Sequence, residues 1–237
     1  MINLLKSEFL KFKSNILLIC ILFLGIFNVL LQSYFAYKEH SIQSIAIYIT
    51  GLDIFVSVIL PILIPVFITF SFYMDNENSG IQLFILKGIS IKKVFYSKWI
   101  FYILIISIYF ILGFAITIPF MFSRGLTISN IIYTVVPYIL SSIITIILLI
   151  NISFVFYVTS KNYFIPPIIS LVGLIIGIFN LGEWLPRLNV FSYLSRLFFI
   201  KSMNATDIVV ILLMVIISCC LLVLSGKLYI RNLRYGE

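Results

Sequence analysis

Acids are few in this chain and histidine is nearly absent. Eight Asp and Glu stand against sixteen Lys and Arg, and the one histidine is His40. That poverty removes most catalytic chemistry. No G-x-x-x-x-G-K-[ST] loop occurs to cradle a triphosphate, and no H-E-x-x-H occurs to hold zinc. His40 stands beside Glu39 in a polar loop, where solvation accounts for it. A serine nucleophile within the membrane would need a nearby base, and no intramembrane His or Lys serves. The chain is therefore not expected to be an enzyme, and no metal site is expected. Cys20, Cys219 and Cys220 all fall in apolar runs, the last two adjacent, so no disulfide framework is visible. A cleavable signal peptide is not expected either, because the first apolar run is too long and no small-residue cleavage site follows it.

What is present is hydrocarbon. Apolar residues make up 62% of the chain and charged residues 10%, against about 45–50% and about 25% in soluble domains. A soluble fold of 237 residues could not hide that much Ile, Leu and Phe, so the solvent is lipid. A helix needs about 20 mainly apolar residues to cross the hydrocarbon core. Six runs qualify, at approximately 15–35, 51–73, 99–122, 131–158, 164–182 and 207–226. Unbroken runs favour helices over barrel strands, because helices satisfy their own backbone hydrogen bonds. The expectation is an all-α, polytopic, six-span protein of one domain.

The formal charge of +8 needs no nucleic acid to explain it, since basic loops beside spans set membrane orientation. Six spans place both termini on one side. That side carries Lys6, Lys11, Lys13, Lys87, Lys92, Lys93, Lys98, Lys161, Lys227, Arg231 and Arg234, while the other carries Lys38, Arg124, Arg187, Arg196 and Lys201. The excess puts both termini and the 74–98 loop in the cytoplasm of a multi-pass cell-membrane protein.

Two segments on that side carry pattern. Residues 1–14, MINLLKSEFLKFKS, place Ile2, Leu5, Phe9 and Phe12 at helical spacing with Lys6, Lys11 and Lys13 away from the stripe. Such a helix suits the inner interface, its lysines toward anionic head groups, although a plain topology-setting flank has the same composition. Glu8 and Lys11 are spaced to pair at i,i+3. In residues 77–99, ENSGIQLFILKGISIKKVFYSKW, the cluster Asp75–Ser79 is rich in helix N-caps. IQLFILK then reads as a short helix stopped by Gly88, which can take the left-handed conformation of a helix end. Ser90 is placed to cap a second helix, IKKVFYSKW, running into the third span. So apolar a loop fits either an interfacial helix against lipid or a docking helix for a cytoplasmic protein.

These features together resemble the ABC-2 type exporter permeases, most nearly the small permeases of bacterial lantibiotic-immunity and peptide-toxin export systems. The residues that carry the resemblance are Glu8, Phe9, Leu10 and Lys11 in the first helix, and Glu77, Gly80 and Lys98 around the cytoplasmic loop. The loop departs from the family in reading GISIKK after its glycine, where Pro or Arg is often found. The resemblance implies an elbow helix with Glu8, Phe9 and Lys11. It also implies a coupling helix, with Glu77, Ser79, Gly80, Leu83, Phe84, Lys87, Lys92 and Lys93 docking on an ATPase subunit. The chain itself would bind no cofactor. ATP and Mg would sit at the partner ATPase, and a second copy or a sister permease would complete the membrane part. The implied substrate is a hydrophobic or amphipathic molecule, an antimicrobial or toxic peptide being the family's pattern. A non-transporting scaffold or sensor, or a secondary carrier, remains the alternative, the carrier disfavoured by the scarcity of buried charge.

On the outer side, residues 183–206 form a stripe of Val190, Phe191, Leu194, Leu197 and Phe198. It fits a short amphipathic helix re-entering the outer leaflet, either as a gate or as a surface helix. Within the spans the ionisable residue that stands out is Asp53, near the outer end of the second run. Intramembrane acids are functional suspects, but so close to the interface a solvated helix start is the more ordinary reading of this one. Asp53, Phe191, Leu194 and Phe198 are the candidates for a translocation path or gate.

Overall fold

The computed structural model describes residues 2–14, 16–38, 58–77, 84–123, 125, 127–178 and 205–235, and the regular structure among them is helical, without strands. The helices are α1 (Ile2–Ser14), α2 (Ile16–Lys38), α3 (Leu60–Glu77), α4 (Ile91–Ser123), α5 (Ile128–Ser160), α6 (Ile165–Ile178) and α7 (Ala205–Tyr235). Among the described residues, three stretches are long and apolar enough to cross a membrane: Ile91–Ser123, Ser142–Ser160 and Leu212–Leu233. Three shorter apolar helical stretches accompany them, Leu22–Phe35, Leu60–Asn76 and Ile165–Ile176.

Helix ends follow from local chemistry. α5 stops at Lys161, whose backbone is left-handed at φ 53° and whose N–H donates to the Tyr157 carbonyl at 2.9 Å. The Asn162 side chain then accepts from the Phe164 N–H at 2.9 Å. Pro166 and Pro167 fall in the first turn of α6, where a missing N–H costs no helical hydrogen bond. Residues 84–86 form a helical turn closed at Gly88, which has φ 70°. The Gly88 N–H donates to Ile85 O at 2.9 Å and the Ile89 N–H to Phe84 O at 3.0 Å. That is the paired bonding of a Schellman stop, with glycine where left-handed backbone is needed. α4 begins next, the Ser90 carbonyl accepting from the Lys93 and Val94 N–H groups.

α5 is the hub, packing against α3, α4, α6 and α7, while α4 also packs α1, α2 and α7. The centre is aromatic. Phe72 of α3 stacks on Tyr157 of α5 at 4.2 Å between ring centroids and lies 5.5 Å from Phe154 and from Tyr229 of α7. The outward faces are apolar as well: Leu104, Ile108 and Ile111 on α4 and Leu212, Leu213 and Ile216 on α7 are exposed. Exposed apolar surface of that extent belongs against lipid or another protein, not water.

α1 differs from its sequence pattern. Ile2 and Phe9 are exposed, and the inward face is Leu4, Glu8 and Lys11, flanked by Leu5 and Phe12 packed on the core. Lys6 and Lys13 face out, but Lys11 turns in. The polar inward face is selected because partners of opposite charge wait there.

Candidate functional site

At 33 residues, α4 is about 50 Å long, well beyond the roughly 30 Å hydrocarbon core. Its first turns therefore extend past one membrane face. Val94, Phe95, Lys98, Phe101 and Tyr102 form the buried stripe of that part, at the spacing by which a helix presents one face inward. Lys98 thus enters the core as though it were an apolar residue, and its ammonium is fully buried.

Three helices converge on it. From α1, Glu8 places both carboxylate oxygens 3.2 Å from Lys98 Nζ. From α3, Asp75 Oδ2 stands at 2.5 Å and Ser71 Oγ accepts at 2.6 Å. An ammonium has three hydrogens and no acceptor; the two Glu8 oxygens and Ser71 Oγ accept from it, and Asp75 Oδ2 adds an ion-pair contact. Ser71 passes the interaction on by donating to Glu8 Oε2 at 2.9 Å. Lys11 closes the circuit, bonding Glu8 Oε1 at 2.7 Å and Asp75 Oδ1. Two carboxylates and two ammoniums cancel formally, which is the condition for keeping four such groups out of water. Asp75 and Ser71 are one helical turn apart on α3, as are Glu8 and Lys11 on α1, so each helix offers a matched edge.

Electrostatics around the two α1 residues follow from that geometry. Burial pushes the Glu8 carboxyl up, but Lys98 and Lys11, with hydrogen bonds from Lys11 and Ser71, outweigh it and hold the group below its ordinary value. Burial pushes Lys11 down, and Glu8 and Asp75 more than reverse this, so its ammonium is held above the ordinary lysine value. Both groups stay charged across physiological pH.

The cluster reaches the 84–90 segment and the aromatic core. Lys11 Nζ lies 5.9 Å from the Phe84 ring centroid, joining α1 to the turn at 84–86. Lys98 Nζ lies 5.0 Å from the Phe72 ring, cation–π distances in both cases. From the next residue of α4, Trp99 Nε1 donates to Asn151 Oδ1 at 2.7 Å, while Asn151 Nδ2 donates to Ser218 O at 3.0 Å and Ser218 Oγ at 2.7 Å. This polar strut pins α4, α5 and α7 in lipid. The ensemble can transmit displacement among α1, α3 and α4, and it holds no nucleophile–base pair.

Of the residues named from sequence, Glu8 and Lys11 meet here and make the expected i,i+3 pair. Phe9 is exposed and outside the cluster. Phe84 touches it through Lys11, and Lys87, Lys92 and Lys93 are exposed. Glu77 is the last residue of α3. Ser79, Gly80, Leu83, Asp53, Phe191, Leu194 and Phe198 lie outside the described residues. Sequence reasoning missed Asp75, which it read only as a helix cap, and Ser71 altogether. For Lys98 a signal existed: it falls on the apolar stripe of α4, whereas Lys92 and Lys93 fall off it. Among the described residues no group of three or more His, Cys, Asp or Glu could hold a metal ion.

The family model described as "ABC-2 family transporter protein" matches residues 4–177, well over half of the chain, from α1 to the end of α6. No curated protein matches the chain.

Proposed function

The chain belongs to the ABC-2 family of transporter proteins, and from that premise we propose that it is the membrane subunit of an ATP-driven exporter. The family match over 4–177 is the observation that carries the reading. A separate ATPase pair would bind and hydrolyse ATP with Mg on the cytoplasmic side, and this chain would pair with a second copy or a sister permease. Six spans with both termini inside would bring α1 and the 77–98 segment to that side as elbow and coupling helices.

Closure of the ATPases would push the 77–98 segment. Lys98, early in α4, would carry the push into Asp75 and Ser71 of α3 and Glu8 of α1, so that the three helices move together and open a route between the two permeases. ATP can drive this only because the ATPase binds the two states with different affinity. The substrate is hydrophobic or amphipathic, an antimicrobial or toxic peptide taken from the inner leaflet, since the buried charges of the cluster are consumed by one another and leave none there to read a polar solute.

Purification of the full chain from its native membrane in mild detergent, with mass spectrometry of what accompanies it, tests the reading. A stoichiometric ATPase is expected, lost with Glu77→Lys and with Gly80→Pro while thermal stability is kept. A clean preparation without ATPase overturns it.

A further inference from the structure

The outward seam between α4 and α7 changes character within one helical turn. It is pinned where Gly226 of α7 meets α4: a Cβ on that glycine would stand 3.4 Å from Phe95 Cε1 and 3.9 Å from Tyr96 Oη. This close approach sets Tyr96 beside Lys227, the next residue of α7, and both are exposed. Lys92 lies one turn before Tyr96 on the same face of α4, and Arg231 lies one turn beyond Lys227 on α7. Both are exposed as well.

Toward the other end of α7, the face that carries Lys227 is hydrocarbon. Leu212, Ile216 and Val223 are each more than half exposed, Cys220 between them is exposed too, and the spacing of three and four residues keeps them in line with Lys227. From Leu212 to Val223 the stripe runs about 17 Å, close to one leaflet's share of a hydrocarbon core of about 30 Å. Lys227 follows about 6 Å further on, where a head group begins.

The charge at the foot of this stripe is uncompensated. α4 contains no Asp or Glu, and the one acid of α7 is Asp207, near the opposite end of the helix. Among the described residues, Lys11 and Lys98 are spent on Glu8 and Asp75, while Lys92, Lys227 and Arg231 make no ion pair. An apolar stripe one leaflet long, ending in a phenol and unpaired cations, has the order of parts of an anionic phospholipid. Basic residues just beyond a membrane span attract such lipids. A soluble anion would use the cations and leave the stripe without a purpose.

We propose that the α4–α7 seam binds an anionic phospholipid, its acyl chain along Leu212, Ile216 and Val223 and its phosphate between Tyr96, Lys227 and Lys92. The lipid covers the side of α7 that the fold leaves bare and braces it against α4 at Gly226. The site needs no ATPase and stands or falls apart from the export reading.

The test uses the full chain in mixed micelles of detergent with phosphatidylglycerol or phosphatidylcholine, with native mass spectrometry counting retained lipid. Saturable retention of phosphatidylglycerol is expected, weakened about fivefold by Lys227→Gln and by Lys92→Gln, and further by the two together. A phosphatidylglycerol with a photoactivatable acyl chain is expected to label α7 between Leu212 and Val223. Lys161→Asn removes an exposed cation on α5, away from the seam, and asparagine tolerates the left-handed backbone there. That variant is expected to keep wild-type retention. Unchanged retention in the double variant would overturn the site. An equal loss in Lys161→Asn would do so too, by making the effect one of general positive charge. Labelling confined to other helices would overturn the placement of the chain. Equal retention of phosphatidylcholine would overturn the anionic requirement, and displacement by millimolar inorganic phosphate would overturn the lipid assignment.

Discussion

Lys98 and Glu8 are ninety residues apart in the chain and 3.2 Å apart in the fold. Their contact welds the first helix to the first turns of α4, and Asp75 and Ser71 draw α3 into the same joint. Surface ion pairs add little to stability, but these groups are buried, and for buried pairs the decisive quantity is what remains when one partner leaves.

Glu8→Gln leaves Lys98 buried with a single carboxylate, and a cost of about 3–5 kcal/mol is expected for breaking such a pair. Lys98→Met alone should cost a similar amount by leaving Glu8 and Asp75 to share Lys11. Combined, the two are expected to cost clearly less than their sum, because the double variant keeps one carboxylate, Asp75, for one ammonium, Lys11. Thermal or denaturant unfolding of the four proteins in detergent measures the coupling, and additivity within about 0.5 kcal/mol would show that the pair does not interact.

The same joint makes an acid-sensitive protein. Glu8 is held below its ordinary value, so the stability it confers is complete above the unfolded carboxyl pKa. That stability is lost as pH falls through the still lower folded value. Lys11 is held above its ordinary value, so its contribution is complete below the unfolded lysine pKa and is lost only as pH rises through the higher folded one. A stability plateau from mildly acid pH up to the ordinary lysine value is expected, with a loss on either side. Glu8→Gln should flatten the acid limb, and an acid limb identical to wild type would remove Glu8 from its cause.

How much of this was legible depends on whether the deciding interaction was local. The stop at Gly88 was legible because a glycine after a short apolar run has one main use, and its φ of 70° follows. The Glu8–Lys11 pair was legible because both partners share one helix. The inward face of α1 was not, since apolar periodicity pointed to Ile2 and Phe9, and only the arrival of Asp75 and Lys98 makes Glu8 and Lys11 worth burying. Asp75 was read as a cap for the same reason: its partners are remote in sequence, and no local pattern announces them.

Gly88→Ala separates backbone strain from crowding. A Cβ there meets nothing within 4 Å, so the expected cost of roughly 1 kcal/mol is the left-handed backbone alone. Gly88→Asn should cost less, because asparagine tolerates that conformation. Hydrogen exchange at the Gly88 and Ile89 amides reports it directly, with faster exchange in the alanine variant. Equal exchange in all three proteins would deny the Schellman closure between the 84–86 turn and α4.

Gly226 on α7 is the place where size itself should matter. A Cβ at this position would stand 3.4 Å from Phe95 Cε1 and 3.7 Å from Cδ1, at the near edge of ordinary contact. Phe95 has no room to retreat, for it is fully buried, with Phe154 at 5.2 Å and Tyr229 at 5.4 Å between ring centroids. Gly226→Ala is therefore expected to fold with little change, whereas Gly226→Leu must displace the ring and should cost about 1–3 kcal/mol, the usual penalty of overpacking. Removing bulk opposite, in Gly226→Leu with Phe95→Ala, should recover part of that loss even though Phe95→Ala alone opens a cavity and destabilises. Thermal unfolding of the five proteins, wild type included, decides it. If the leucine variant matched wild type, α7 would not be seated against α4 at Phe95, and Lys98, one turn further along the same buried stripe, would lose the wall that keeps its surroundings dry.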